Sequence, residues 1–245
     1  MTDTATLPSR HDEAYRYSDI DALAGMWPVA REDVVVAAGQ ERSLQMIETG
    51  AGAVARHVAI TLEAGARCDV RILAAGPSFG RIALDVTLAR GADFTLGAAM
   101  LGEAAQTLEI VTEVTHAEPD ARSSQIVRSV LAGQATGTYL GRVAVARGAD
   151  GTDAEQSVRA MLLDPTATAN ARPELEIFAD DVKCAHGCAV GELDAGSLFY
   201  LQSRGLPPET ARRLMLQAFV AEAFTGAADE ENLDAQALAR LEAML

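Results

Sequence analysis

The sequence predicts an all-β core of the β-solenoid class, followed by a small carboxy-terminal α-helical domain. Three observations carry that prediction. Short β-rich runs succeed one another from Asp33 to about Val190. Several of them alternate apolar and polar residues with period two, the period of half-buried strands rather than the 3.6 of helices. Gly-Ala turns recur after short apolar runs, in Leu62-Glu-Ala-Gly-Ala, Leu88-Ala-Arg-Gly-Ala and Val145-Ala-Arg-Gly-Ala. Glycine accepts the positive φ of a tight turn, and alanine leaves room beside the next coil. Repetition of a unit that cannot bury its apolar face alone is the signature of a solenoid. The intervals are uneven, so no fixed repeat length emerges. A β-sandwich would present similar strands, and the recurrent turns favour the solenoid.

Taken in order, residues 1–32 form a short amino-terminal extension with weak patterning. Asp19 is placed to cap a short helix through Trp27, which Pro28 stops. The core spans 33–191, with strands expected at Asp33–Val36, Arg56–Leu62, Cys68–Leu73, Arg81–Leu88, Phe94–Leu96, Thr107–Thr115, Ser124–Leu131, Gly137–Val145 and Leu175–Phe178. Within them Ile82, Leu84, Val86 and Leu88 share one face, and Leu108 and Ile110 another. No βαβ alternation interrupts this region. The helical domain spans 192–245. Asp194 is the expected N-cap of a helix through roughly Ser203, ended by Gly205. Pro208 opens a second helix, with Ala211, Leu214, Met215, Ala218, Phe219 and Glu222 at helical spacing. That stripe reads as intrachain core or as a docking surface, with Arg204, Arg212 and Arg213 beside it. A third helix, Leu233–Met244, follows a Gly226–Glu231 linker.

The totals narrow the function. The 245 residues are 49% hydrophobic, enough to bury a substantial core, and carry a formal charge of −15. Such a charge opposes non-specific binding to nucleic acid or an anionic membrane, both of which reward clustered Lys and Arg. The start MTDTATLPSRHDEAY lacks the basic and apolar stretches of a secretory signal, and no apolar run is long enough to span a membrane. Three cysteines do not make a disulfide framework, so the expectation is a cytoplasmic protein with reduced thiols. No GxxxxGK[ST] loop, GxGxxG after a strand or GxSxG elbow is present, so the chain is expected to be a non-enzyme that hydrolyses no ATP.

Chemistry concentrates at Cys184-Ala-His186-Gly-Cys188. On an extended segment these three side chains project from one face. Thiolate and imidazole suit zinc or iron. Three alternating donors are an incomplete four-coordinate site, so three readings stay open. The site belongs to this chain alone, with Cys68 as a fourth donor; it is shared with a partner; or the thiols pack and the histidine bonds locally. Asp180 and Asp181 read as turn residues, or as groups orienting His186. His116, in Val114-Thr-His-Ala-Glu-Pro, is either structural or functional. His57 reads as structural, and His11 falls in the terminal extension.

The run Pro173-Glu-Leu-Glu-Ile-Phe-Ala-Asp-Asp-Val-Lys-Cys-Ala-His-Gly, then Val190-Gly-Glu-Leu-Asp and Leu198-Phe-Tyr-Leu-Gln-Ser-Arg-Gly, closely resembles the SufB/SufD family. Its members are scaffold subunits of the SUF iron–sulfur cluster assembly system, and Cys184-Ala-His186 is more similar to the SufD type. The resemblance covers about residues 33–225. It implies a right-handed parallel β-helix, joined edge to edge to a SufB-like subunit, with carboxy-terminal helices engaging a SufC-like ABC ATPase. It also implies that His186, with Cys184 nearby, contributes to a transient cluster at a shared interface, none being tightly held by the isolated chain. Cys188 is a weaker candidate ligand. The same edge would allow a homodimer in isolation. Where relatives carry Ser or Thr after the cysteine and Ala-Thr after His-Gly, this chain has Ala185 and Cys188-Ala189.

Overall fold

Alternation along each run decides the architecture, because one face of every strand must find an apolar partner. A computed structural model describes residues 6–245, and the first five residues of the expected extension lie outside the described residues. The strands are β1 (Arg31–Val36), β2 (Glu41–Glu48), β3 (Ala53–Leu62), β4 (Arg67–Ala74), β5 (Phe79–Leu88) and β6 (Asp93–Gly102). They continue as β7 (Thr107–His116), β8 (Arg122–Leu131), β9 (Thr136–Val145), β10 (Asp153–Leu162), β11 (Thr168–Ile177) and β12 (Lys183–Gly191). Odd strands form one six-stranded parallel sheet in the order β1-β3-β5-β7-β9-β11, and even strands a second from β2 to β12. Each coil contributes one strand to each sheet. The fold is a two-sided parallel β-solenoid with its core between the sheets.

The coils lengthen along the chain, which accounts for the uneven turn intervals. Ala53 lies opposite Phe79, Phe79 opposite Thr107, Thr107 opposite Thr136, and Thr136 opposite Thr168, so successive offsets are 26, 28, 29 and 32 residues. The added residues go into turns, while the registers between strands stay continuous. Inward-facing residues therefore stack in rows such as Val34–Ile60–Val86–Val114–Val143–Leu175. Each such side chain gains roughly 1.5–3 kcal/mol from burial.

Strands β2, β10 and β12 were not among the expected runs, and β6 and β11 extend well beyond Phe94–Leu96 and Leu175–Phe178. The reasons are physical. The second half of β6, Gly97-Ala-Ala-Met-Leu-Gly, is buried on both faces, so it shows no alternation. Strand β10 places only Ala154, Gln156, Val158 and Ala160 inward, a weak apolar signal carried by small side chains.

Three helices follow: α2 and α3 at Ala195–Ser203 and Pro208–Ala221, then α4 at Glu230–Met244, which starts before the expected Leu233. As expected, Asp194 caps α2, accepting from the Ser197 N–H at 2.7 Å, and Pro208 occupies the first turn of α3. Leu216, Phe219, Val220 and Phe224 with Leu233 and Leu241 pack on the outer face of the even sheet, against Leu73, Ala99, Leu101 and Val130. Two buried guanidiniums lock this face. Arg71 donates to the Ala223 carbonyl at 2.8 Å, beyond the end of α3. Arg128 grips Glu222 through Nε and Nη2 at 2.8 and 2.6 Å, and also donates to the Ser157 carbonyl at 2.8 Å. Burial lowers the Arg128 pKa, and its hydrogen bond to Glu222 opposes that shift.

The amino-terminal segment lies over the outer face of the odd sheet. Its short helix, α1 (Ile20–Ala24), ends before the expected Trp27, and Asp19 accepts from the Ala22 N–H at 3.1 Å. Leu23 is buried, Ser18 donates to Glu109 at 2.9 Å, and Arg81 bridges Glu109 to the Ala14 carbonyl while lying 4.1 Å from the Tyr15 ring centroid. Anchors on distant strands hold this segment, which explains its weak local pattern.

Two stability predictions follow from this packing. A Cβ on Gly97 would overlap the Ala223 carbonyl oxygen and the Arg71 guanidinium. Gly97→Val should therefore lower stability in urea by about 1–3 kcal/mol and expose the helices to early proteolysis, and an unchanged digestion pattern would contradict the close approach. His116 interrupts the apolar row Val36–Leu62–Leu88–His116–Val145, and desolvation pushes its pKa from the ordinary 6.5 down to about 4. The native state stays neutral there while the unfolded chain takes up a proton, so this contribution is complete above about pH 6.5. It falls toward pH 4 by up to about 3 kcal/mol. His116→Gln should flatten that difference in urea midpoints measured across the two pH values.

Candidate functional site

Strand β12 closes the even sheet, and its register determines where its donors point. Cys184 ends the inward row Cys68–Phe94–Ser123–Ala154–Cys184. His186 ends Leu44–Val70–Leu96–Gln125–Gln156–His186, and Cys188 ends Met46–Ile72–Ala98–Val127–Val158–Cys188. The three side chains thus continue the lumen-facing rows at the last coil. Nothing stacks on their far side among the described residues, so Cys184 is half-buried while His186 and Cys188 are exposed. The Cys188 thiol lies 3.8 Å from the Ala171 carbonyl of β11 across the lumen. Burial raises the pKa of both Cys184 and Cys188, so neither thiol is pre-ionised near neutral pH.

Spacing limits what these donors can do alone. Side chains two apart on a strand sit about 6.6 Å apart, whereas donors 2.0–2.3 Å from one zinc lie within roughly 4 Å of each other. Cys68 is four strands away along its row, about 19 Å at 4.8 Å per strand. No group of three His, Cys, Asp or Glu among the described residues is arranged to hold a metal ion. The geometry disfavours a self-contained metal site.

Asp180 and Asp181 lie in the exposed turn between β11 and β12, where the Asp181 carbonyl accepts from the Gly151 N–H at 2.7 Å. His116 is fully buried and bonds Ser123 at 2.9 Å. His57 pairs with Asp85 at 2.7 Å on the outer face of the odd sheet, and His11 is exposed. None of these joins the β12 cluster.

Sequence reasoning missed a buried polar network behind that cluster. Thr112 donates to Gln125 Oε1 at 2.9 Å, the Tyr139 hydroxyl donates to the same oxygen at 3.1 Å, and Gln156 Nε2 donates to the Tyr139 hydroxyl at 3.1 Å. All four residues are buried. Burial raises the Tyr139 pKa to about 12, so the hydroxyl keeps its proton. The available signal was a pair of glutamines, Gln125 and Gln156, at inward positions of β8 and β10.

The last coil is also an apolar margin. Ile177, Phe178 and Val190 are exposed there, β11 and β12 each have an outer edge that is unpaired among the described residues, and α2 buries none of its residues while exposing Phe199 and Tyr200. An unpaired strand edge is a template for adding another chain.

Residues 30–219 match the family model described as SUF system FeS cluster assembly, SufBD core domain. Over 120 residues the chain is 42% identical to Protein ABCI7, chloroplastic, of Arabidopsis thaliana, covering 48% of this chain and 25% of that protein. It is 35% identical over 130 residues to the Iron-sulfur cluster assembly protein SufD of Escherichia coli, covering 53% and 30%. It is 33% identical over 181 residues to the Iron-sulfur cluster assembly SufBD family protein Rv1462 of Mycobacterium tuberculosis, covering 71% and 43%. These matches span from a quarter to less than half of each relative's length.

The donor spacing makes a direct prediction. The reduced, isolated chain should lose added zinc to a mild chelator, with the same release curve for Cys188→Ala. Stoichiometric zinc retained by the natural chain and lost in the variant would restore a self-contained site.

Proposed function

The chain belongs to the SufBD core family, and from that premise we propose that it is a SufD-like, non-ATP-hydrolysing scaffold subunit for iron–sulfur cluster assembly. The cluster is its transient cargo, built where this chain meets a SufB-like partner. The observation that carries the reading is the position of Cys184 and His186, on the lumen-facing side of a terminal strand whose outer edge is unpaired among the described residues. A partner strand laid on that edge would bring its own donors one strand spacing, about 4.8 Å, from this chain's donors. Two half-sites would then supply the coordination that one cannot. His186 is the principal donor in this reading, Cys184 its neighbour and Cys188 an accessory.

The helices supply the second contact. Exposed Phe199 and Tyr200 on α2, with the exposed face of α3 around Leu214, form the surface proposed to engage a SufC-like ABC ATPase. Movement of α3 would reach the site through Arg128, which joins Glu222 to the Ser157 carbonyl of β10. Ser157 lies opposite Gly187, between His186 and Cys188. The compartment proposed for this scaffold is the cytoplasm, where thiols stay reduced.

The test is anaerobic co-purification with SufB-like and SufC-like partners, followed by iron and sulfide analysis. A stable complex is expected, and His186→Ala should cut cluster formation by about tenfold or more while leaving complex mass unchanged, as loss of a metal-orienting ligand typically does. Absence of a complex would overturn the partner assignment. Full cluster formation by an intact His186→Ala complex would remove the ligand role. The solution mass of the lone chain decides whether the same edge pairs with itself.

A further inference from the structure

The amino-terminal segment does not sit flush on the odd sheet. Between the two lies a cavity of about 380 Å³, with Tyr15, Leu23, Trp27 and Val29 on the segment side. On the sheet side its floor is the row Ala83–Val111–Leu140, carried by β5, β7 and β9. Three strands at about 4.8 Å spacing make that floor flat and roughly 10 Å long. The neighbouring outward row, Asp85–Glu113–Arg142–Glu174, is charged throughout and forms one edge of the cavity. Its charges are already matched. Arg142 bonds Glu113 and, at 2.6 Å, Glu176, while Arg172 reaches Glu174 at 2.6 Å and Glu13 at 2.5 Å. Asp85 pairs with His57 at 2.7 Å. Arg81 is committed to Glu109 and the Ala14 carbonyl, and Arg56 to Glu48.

We propose that this cavity is a binding site for a flat, uncharged aromatic or heteroaromatic small molecule. Its volume falls within the range of small-molecule sites, roughly 300–1,000 Å³, and apolar walls with a few polar groups are their usual lining. An aromatic plane would cover the floor with one face and meet the Tyr15 and Trp27 rings, which already stand edge to face at a centroid distance of 6.1 Å, with the other. The matched edge selects against ions. A charged ligand would have to break one of these pairs or give up its hydration without gaining a partner. A neutral ligand leaves every pair intact. With His57 Nε2 bonded to Asp85, its Nδ1 makes no hydrogen bond among the described residues and supplies an acceptor for a ligand N–H. The segment side of the cavity precedes residues 30–219, which match the family model, so the roof of the site lies outside the matched core. The proposal does not rest on the scaffold reading.

Trp27 is the only tryptophan of the chain and lines the cavity, so its emission reports occupancy. The probe is dansylamide, an uncharged naphthalene sulfonamide with N–H donors, whose absorption overlaps tryptophan emission. Titrated into the full chain, it should quench Trp27 by energy transfer, saturating at one molecule per chain with a Kd on the order of 100 μM or tighter. The sulfonate of the same ring system, which carries a negative charge in place of the amide, should bind roughly tenfold more weakly, the scale of one charge left without a partner. Ala83→Phe fills the floor and should abolish the transfer in a chain whose urea midpoint shows it folded. Val111→Phe fills the same floor should Ala83→Phe fail to fold, and the comparison of amide with sulfonate needs no variant at all. No saturable transfer up to about 0.5 mM dansylamide would overturn the proposal. So would equal or tighter binding of the sulfonate, or undiminished transfer in a folded, filled variant. None of these readings involves a partner subunit, so they stand or fall apart from the co-purification that tests the scaffold assignment.

Discussion

Parallel, in-register pairing between successive coils is the constraint on which the rest of this structure depends. Each strand bonds only to strands one coil away in its own sheet, so inward side chains stack in continuous rows. A single-residue slip would turn every member of a strand from the lumen to the outside. The chain therefore absorbs its lengthening coils in turns, where extra residues cost little. The same rule places the chemistry, since whatever occupies the last rung inherits the alignment of every rung before it.

A solenoid of two sheets has two outer faces, and this chain covers parts of both with segments remote in sequence. The helices cover the even sheet and the amino-terminal segment the odd one. In each case buried arginines do the joining: Arg71 and Arg128 on one face, Arg81 on the other. Such pairs add little net stability against an apolar alternative, yet removing one partner strands a charge. Their value is geometric. A guanidinium with several fixed acceptors permits one placement of the segment it holds, as Arg81 does between Glu109, the Ala14 carbonyl and the Tyr15 ring.

The last coil, like the first, has a neighbouring coil on one side only among the described residues. Cys184, His186 and Cys188 have rows beneath them and an open side above, which accounts for their greater exposure than Ala154, Gln156 and Val158 one coil earlier. An incomplete rung is a natural place for a shared site, because the missing half is a strand that another chain can supply. The buried polar network near this end means that the last rungs are held by directed bonds as well as by apolar packing.

By itself the sequence determined the class of fold, the starts of α2 and α3 and the Cys184, His186 and Cys188 cluster on which the candidate site is built. Alternation in β5 and β7, the Gly-Ala turns, the Asp194 cap and Pro208 are local signals, and local signals can be read without coordinates. The family resemblance added the expected partners. Strands β2, β10 and β12, the pairing of the amino-terminal segment with Arg81, and the role of Gly97 were decided only in three dimensions. Each depends on a neighbour tens of residues or more away. The separation of Cys68 from Cys184, and the alignment of Gln156 with His186, follow from register. Register is a property of the stacked coils, and no stretch of the chain carries it alone.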